Sequence, residues 1–395
     1  MGAIPAGAAT VAQMHRNPVL EELGTYVIAD LQALAREMRA AGERVIDFSI
    51  GDPREPTPAF IPEALKAAVP RVSQYPTVAG LADLREAFAG YIHRRFGVKV
   101  DPDTQVIPTS GSKEAIFTTP FALVDAGADD AVAFGTPGYP VYERGTRFAG
   151  AEAMGIPLDG DFVLRASDVP ADAWDRLRIL WICSPHNPTG SITGLDDLQD
   201  LVAACRRHGV LLASDECYAD LYEGGPPPSV LQASGPDFEG TLAYFSLSKR
   251  SGMTGYRSGM IVGDAGAIAA LRQLRASVGV ASAEFVQAAA VAAWGDDEHA
   301  AERREVFAAK RAVLRAPFEE HGYEVVASGA GLYLWVDIRG DEMAAAKRLL
   351  KEGVVVSPGS AFGAGGEGFL RFALVPALEE CSDAAEVLRA CLTEI

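Results

Sequence analysis

The sequence predicts an α/β protein: a mostly parallel sheet covered by helices, with a smaller α+β unit beside it. Three observations lead there. Short apolar runs alternate with helical stretches through the middle of the chain, which is the mark of buried parallel strands in βαβ units. Beyond about residue 290 the texture changes to a long charged helix followed by shorter strands. And 395 residues exceed what one ordinary core holds, so two structural units are expected.

Taken in order, Leu31, Leu34 and Met38 recur at helical spacing within IADLQALAREMRAAGE, and residues 45–50 form a short apolar run that ends at Gly51: helix, strand, loop. Residues 80–96 carry a second helical pattern. VIPTSGSKEAIF then reads as a strand that breaks at Gly111 and opens a helix. AVAFG, RILWIC, VLLASD, LAYFS and GMIVG follow as strands, separated for example by the helical LDDLQDLVAACRRHG. The long helix AAERREVFAAKRAVLRAPFEEHG comes next, then strands at YEVVA, LYLWV, VVVSP and FLRFA. These assignments divide the chain into a large unit over residues 50–290 and a small one assembled from 1–49 and 291–395. The glycine- and proline-rich residues 224–228 are a loop.

Composition narrows the function. Of the residues, 49% are apolar and 22% charged, which suits a compact enzyme-sized protein and argues against disorder. A formal charge of −18 makes nucleic acid an unfavourable partner, because phosphate binding needs a basic face. The start, MGAIPAGAATVAQMHRNPV, lacks the layout of a secretion signal, and no run of about 18 apolar residues could span a bilayer, so a cytoplasmic location is expected. Five cysteines (Cys183, Cys205, Cys217, Cys381, Cys391) with no close pair fit reduced thiols, and the histidines show no metal-ligand spacing, so no metal is expected.

In open α/β sheets ligands bind outside the carboxyl ends of the strands. After VIP stand Ser110, Gly111, Ser112 and Lys113 at a helix start, where free amides favour an anion; plain capping is the alternative. After VLLAS come Asp215, Glu216, Cys217 and Tyr218, the carboxylate being either functional or a cap. After RILWIC comes SPHNPTG, where Asn187 is kept out of the helical region by Pro188. After LAYFS comes SLSKRSGMTGYR, which puts Lys249 among Ser246, Ser248 and Arg257, its stem in the core and its amine in the cleft. One ligand suits them all: a phosphate, a ring nitrogen facing a carboxylate, and a carbonyl condensed with a lysine. That is pyridoxal phosphate.

From Gly51 to Arg371 the order and spacing of these motifs resemble the class I and II aminotransferases, the fold type I pyridoxal phosphate enzymes. The resemblance implies a large domain with a mostly parallel seven-stranded sheet and a smaller α+β domain. It makes Lys249 in SLSKR the Schiff-base lysine and proton shuttle, and Asp215 in SDECY the partner of the pyridinium nitrogen. Asn187 and Tyr218 would bond the phenolic oxygen. Gly111, Ser112 and Lys113 in SGSKE would supply the phosphate loop, completed by Ser246, Ser248 and Arg257. Tyr139 in PGYPVY resembles the aromatic stacked on the ring, with core packing as the alternative. Arg371 in FLRFA would clamp the substrate α-carboxylate with help from the Gly51 backbone, a structural ion pair being the other reading. Tyr75 in SQYPTVAG is similar to the tyrosine that reaches across a homodimer to the neighbouring phosphate.

The implied reaction is a two-stage ping-pong exchange of an amino group between an amino acid and a 2-oxo acid. Here Arg250, Ser251 and Gly252 follow the lysine where aspartate-type members carry another pattern. The run KRSGMTGYRSG, with GSKEAI, resembles succinyldiaminopimelate aminotransferases of lysine biosynthesis, pointing to N-succinyl-diaminopimelate with glutamate and to Lys113 as the cation for a distal carboxylate. An aspartate- or alanine-type aminotransferase is the alternative, and a lyase, decarboxylase or oxidase on the same fold is the rival of another class, because the fold settles the cofactor and not the bond cleaved.

Overall fold

The structure, a computed structural model, describes residues 15–23 and 29–394; most of the N-terminal stretch weighed above as a secretion signal lies outside them. The centre of the large unit is a seven-stranded sheet in the order Val106–Thr109, Gly259–Gly263, Thr241–Ser246, Leu211–Asp215, Leu177–Cys183, Ala131–Thr136, Glu152–Pro157. All neighbours run parallel except Gly259–Gly263, which is antiparallel to both of its partners. Central strands such as Thr241–Ser246 are buried at every position, which is why they read as unbroken apolar runs. The edge strand Glu152–Pro157 escaped the sequence reading because it is half exposed and carries one buried residue, Ile156.

The helices show why this chain folds locally as it does. In Leu195–His208, Leu198, Leu201, Val202 and Cys205 make one buried stripe, Asp196 and Asp197 occupy the first turn, and Arg206, Arg207 and His208 the last. Charges of those signs complement the helix dipole, and Gly209, left-handed at φ 68°, ends the helix. Burying each leucine of the stripe contributes on the order of 2 kcal/mol. Helix Glu284–Gly295 packs against Phe60–Ala68 and Ala82–Phe96 and so runs across residue 290, placing Ala293 and Trp294 in the large unit's core.

The smaller unit holds a four-stranded antiparallel sheet, Ser357–Pro358, Phe369–Ala373, Tyr333–Asp337 and Glu324–Val326, packed with the long helix Glu298–Glu320 and with Leu378–Cys391. The expected strand at 45–50 is shorter: Ile46–Asp47 pairs in parallel with Val354–Val355. That pairing ties the N-terminal part of the chain to its C-terminal part, and Leu31, Ala35, Ile46 and Phe48 join the same buried cluster.

Candidate active site

The residues at the carboxyl ends of the parallel strands converge on one cavity of about 1010 Å³. Its walls include Ser112, Lys113, Tyr139, Asn187, Asp215, Tyr218, Ser246, Ser248, Lys249 and Arg257 from the large unit, and Gly51 and Arg371 from outside the large sheet. Arg257 belongs here for a topological reason. It precedes the one antiparallel strand, whose first residue Gly259 pairs with Ser246 and Thr109, so the start of that strand sits where its neighbours end. Tyr75 does not line this cavity; it stands 99% exposed on the surface.

Lys249 lies in the short helix Leu247–Arg250, capped by Ser246: the Ser248 N–H donates to its Oγ at 3.1 Å. The Lys249 amine donates to the Gly51 carbonyl. Burial pulls its pKa down to about 8, with Asp52 and Cys217 opposing and Arg371 and Arg257 assisting. A buried amine that gives up its proton more readily than a free lysine is a nucleophile and a proton carrier.

Asp215 is buried, and burial raises its pKa. Its Oδ2 accepts from the Tyr142 hydroxyl at 3.0 Å and its Oδ1 from the Cys217 amide at 3.2 Å. No helix follows for it to cap, since residues 217–220 form a turn that the bond to the Cys217 amide closes, and no cation among the described residues pairs with this carboxylate. Such a group is poised to receive a protonated nitrogen. Tyr142 went unnoticed in the sequence, although it follows Tyr139 by one helical turn in PGYPVY; its ring stacks on Trp181 at 5.2 Å.

Gly111 and Arg257 form a close pair. Gly111 is left-handed at φ 82°, which favours glycine, and a Cβ there would lie 2.4 Å from an Arg257 terminal nitrogen, so a side chain would push the guanidinium away from the loop. The Ser110 amide is already taken by Glu114 Oε1 at 2.7 Å, and Glu114 is in turn paired to Arg275 at 2.8 Å. Capping thus occupies one amide of the loop, and the cavity faces Ser112 and Lys113.

Arg371 is 6% exposed. One terminal nitrogen donates to Asn187 Oδ1 at 3.0 Å and the other to the Ser49 carbonyl at 2.7 Å, while Tyr333 and Phe362 sandwich the guanidinium at 4.4 and 4.3 Å. It makes no ion pair among the described residues, and Nε has no partner there. The structural salt bridge held open above is absent among those residues, which leaves a buried cation facing a cavity.

Arg250 and Ser251, the departure used to narrow the substrate, turn away from the cavity. Arg250 is buried against Asp220 at 2.9 Å and Asp297 at 2.6 Å, with its guanidinium 4.9 Å from the Tyr91 ring, and Ser251 bonds His299 at 2.8 Å. A guanidinium directly after the lysine must find carboxylates behind the sheet, so that stretch carries packing and not substrate recognition. Among the described residues no three His, Cys, Asp or Glu side chains gather to hold a metal, and no helix is long and apolar enough to cross a membrane.

Nucleophilic amine, buried carboxylate and unpaired cations gathered at the switch edge of a parallel sheet define an enzyme of the α/β class that works on a small anionic molecule. Comparison with known proteins narrows the class. Residues 43–388 match the family described as aminotransferase class I and II. The chain is 37% identical over 366 residues to the LL-diaminopimelate aminotransferase of Nitratidesulfovibrio vulgaris (strain DSM 19637 / Miyazaki F), covering 90% of this chain and 93% of that one. It superimposes with a TM-score of 0.89 and 32% identity on an aminotransferase from Neisseria meningitidis, covering 95% of this chain and all (100%) of that one. A probable N-succinyldiaminopimelate aminotransferase from Thermus thermophilus gives a TM-score of 0.86 at 29% identity over 92% of this chain and 99% of that one. The chain belongs to the class I and II aminotransferases.

Proposed function

We propose that this aminotransferase uses pyridoxal phosphate and acts on an amino acid with a second charged end, of the diaminopimelate kind. The observation that carries the reading is the pairing, in one cavity, of the Lys249 amine, its pKa pulled down to about 8 by burial, with an Arg371 that is buried and has no carboxylate partner among the described residues. The residues present fit the cofactor: the Arg257 guanidinium lies against left-handed Gly111, Asp215 has no cationic partner among the described residues, and Lys249 brings its amine to the same cavity.

Bound there, pyridoxal phosphate supplies an electron sink for the pair released at the substrate α-carbon. The chain does the rest. Lys249 holds the cofactor and moves a proton at Nζ. Asp215, backed by Tyr142, would keep the ring nitrogen protonated, and Asn187 and Tyr218 would bond the phenolic oxygen. Gly111, Ser112, Ser246, Ser248 and Arg257 would hold the phosphate, and Tyr139 would cover the ring. Arg371 clamps the α-carboxylate with two parallel bonds, helped by the Gly51 backbone, and the same clamp serves the 2-oxo acid in the second half of a ping-pong exchange.

We read the enzyme as a cytoplasmic homodimer in which Tyr75 serves the neighbouring phosphate, with a large domain over 50–290 and a small domain formed by the two chain ends. For the substrate, two kinds of support agree: the relative and the solved structure cited above both carry diaminopimelate in their names, and Lys113, exposed at the cavity wall, offers a cation to a distal carboxylate. The test is a panel of LL-diaminopimelate, its N-succinyl derivative, glutamate, aspartate and alanine, each added to the cofactor-loaded protein while its visible band is followed. A diaminopimelate and glutamate should bleach the band, and 2-oxoglutarate should restore it. Bleaching by aspartate or alanine alone would overturn the substrate, and release of carbon dioxide or ammonia without restoration would overturn amino transfer.

A further inference from the structure

Tyr333 lies in the strand LYLWV and touches three parts of the site at once. Its strand, Tyr333–Asp337, pairs antiparallel with Phe369–Ala373, Tyr333 opposite Ala373 and Trp335 opposite Arg371. Tyr333 and Arg371 are therefore diagonal neighbours on one face of that ladder, and the Tyr333 ring lies 4.4 Å from the guanidinium. Its hydroxyl is 2.7 Å from that of Tyr218, which comes from the turn after Leu211–Asp215 in the other unit. A Cβ on Gly51 would lie 2.7 Å from the same oxygen, so Gly51, whose carbonyl accepts from Lys249, is glycine because Tyr333 is there.

We propose that Tyr333 is a positioning residue with two separable parts: its hydroxyl donates to Tyr218 and so aims the Tyr218 proton into the cavity, while its ring backs the Arg371 clamp. The proposal rests on the pyridoxal phosphate reading above. Two hydroxyls 2.7 Å apart share one proton between them, and the stronger acid donates. Burial is the largest influence on both phenols and pushes both up, and Asp215 and Cys183 raise both as well; what separates them is the Arg371 guanidinium, 4.4 Å from the Tyr333 ring, whose positive charge draws Tyr333 back down, while the Tyr333 phenol raises Tyr218 further. Tyr333 is then the donor, and the proton of Tyr218 is left to point elsewhere. The other titratable groups facing the pair are Cys183 and Asp215 from the large sheet and Arg371 from the small one. A donor aimed at the cofactor's phenolic oxygen draws charge from it and weakens that oxygen's hold on a proton at Lys249 Nζ.

The experiment is a pH titration of the visible band of the pyridoxal-phosphate-loaded protein, as wild type, Tyr333→Phe and Tyr333→Leu, together with the affinity of each for maleate, a dicarboxylate that cannot react. Tyr333→Phe removes the hydroxyl and keeps the ring: the midpoint should rise by roughly half a unit to one unit, the worth of one hydrogen bond, with maleate affinity unchanged within about twofold. Tyr333→Leu should show the same rise and bind maleate roughly tenfold more weakly, because the cation loses its aromatic face. A merely structural tyrosine would lower the melting temperature without moving the midpoint. An unmoved midpoint in Tyr333→Phe overturns the hydroxyl's role, and equal loss of maleate affinity in both variants overturns the ring's. A wild type that gains no visible band overturns the cofactor reading and this proposal with it, whereas a wild type that titrates beside an identical Tyr333→Phe sinks the Tyr333 proposal alone.

Discussion

Arginine 371 shows how a single side chain can be costly to the fold and useful to the reaction. A buried cation without a carboxylate is destabilising, since its hydration is lost and only carbonyl and amide oxygens, at 2.7 and 3.0 Å, replace it. Arg371→Leu should therefore leave the melting temperature unchanged or higher. In the same variant kcat/KM should fall by roughly two to four orders of magnitude, the worth of two charge-assisted bonds to a carboxylate, while the cofactor stays bound. Steady-state kinetics beside a thermal melt decides it, and a large drop in melting temperature would assign Arg371 to structure. Sequence could place this arginine on a strand and ask what it faced; the absence of an ion-pair partner is a distance, and no pattern of residue types contains it.

At the scale of elements, the lysine's short helix is anchored from behind. Asp220 accepts from Arg250 at 2.9 Å, from Arg95 at 3.2 Å and from the Tyr91 hydroxyl at 2.9 Å, joining helix Ala82–Phe96 to Leu247–Arg250. Asp297 and His299 at the start of Glu298–Glu320 grip the other side of Arg250 and Ser251. Asp220→Asn takes from Arg95 its carboxylate and leaves Arg250 with Asp297 alone, and urea unfolding should show a loss of roughly 1 to 3 kcal/mol. A loss under about 1 kcal/mol would mean that water or other groups already compensate these arginines. Here the sequence misled by proximity: Arg250 adjoins the key lysine along the chain, but successive side chains in a helix face different directions, so a neighbour in sequence sits on the far side.

At the scale of the whole molecule, the segment carrying Val72 and Tyr75, 73% and 99% exposed, offers apolar surface that a second copy would cover. If Tyr75 serves the neighbouring site, mixing Tyr75→Ala chains with Lys249→Ala chains should restore one intact site per hybrid dimer, and an activity assay after subunit exchange should recover what neither variant has alone. No recovery would place Tyr75 outside the neighbour's site. The alternation of buried strands and helices, the group of residues at the strand ends and the family itself were all legible in the residue order, because hydrophobic period and strand-end chemistry are local properties that survive in one dimension. The half-exposed edge strand Glu152–Pro157, the Tyr142–Asp215 and Tyr218–Tyr333 contacts and the direction in which Arg250 points were decided only by tertiary structure. The side-chain contacts among these join residues between 30 and 115 positions apart, and such proximity is set by packing of the whole chain.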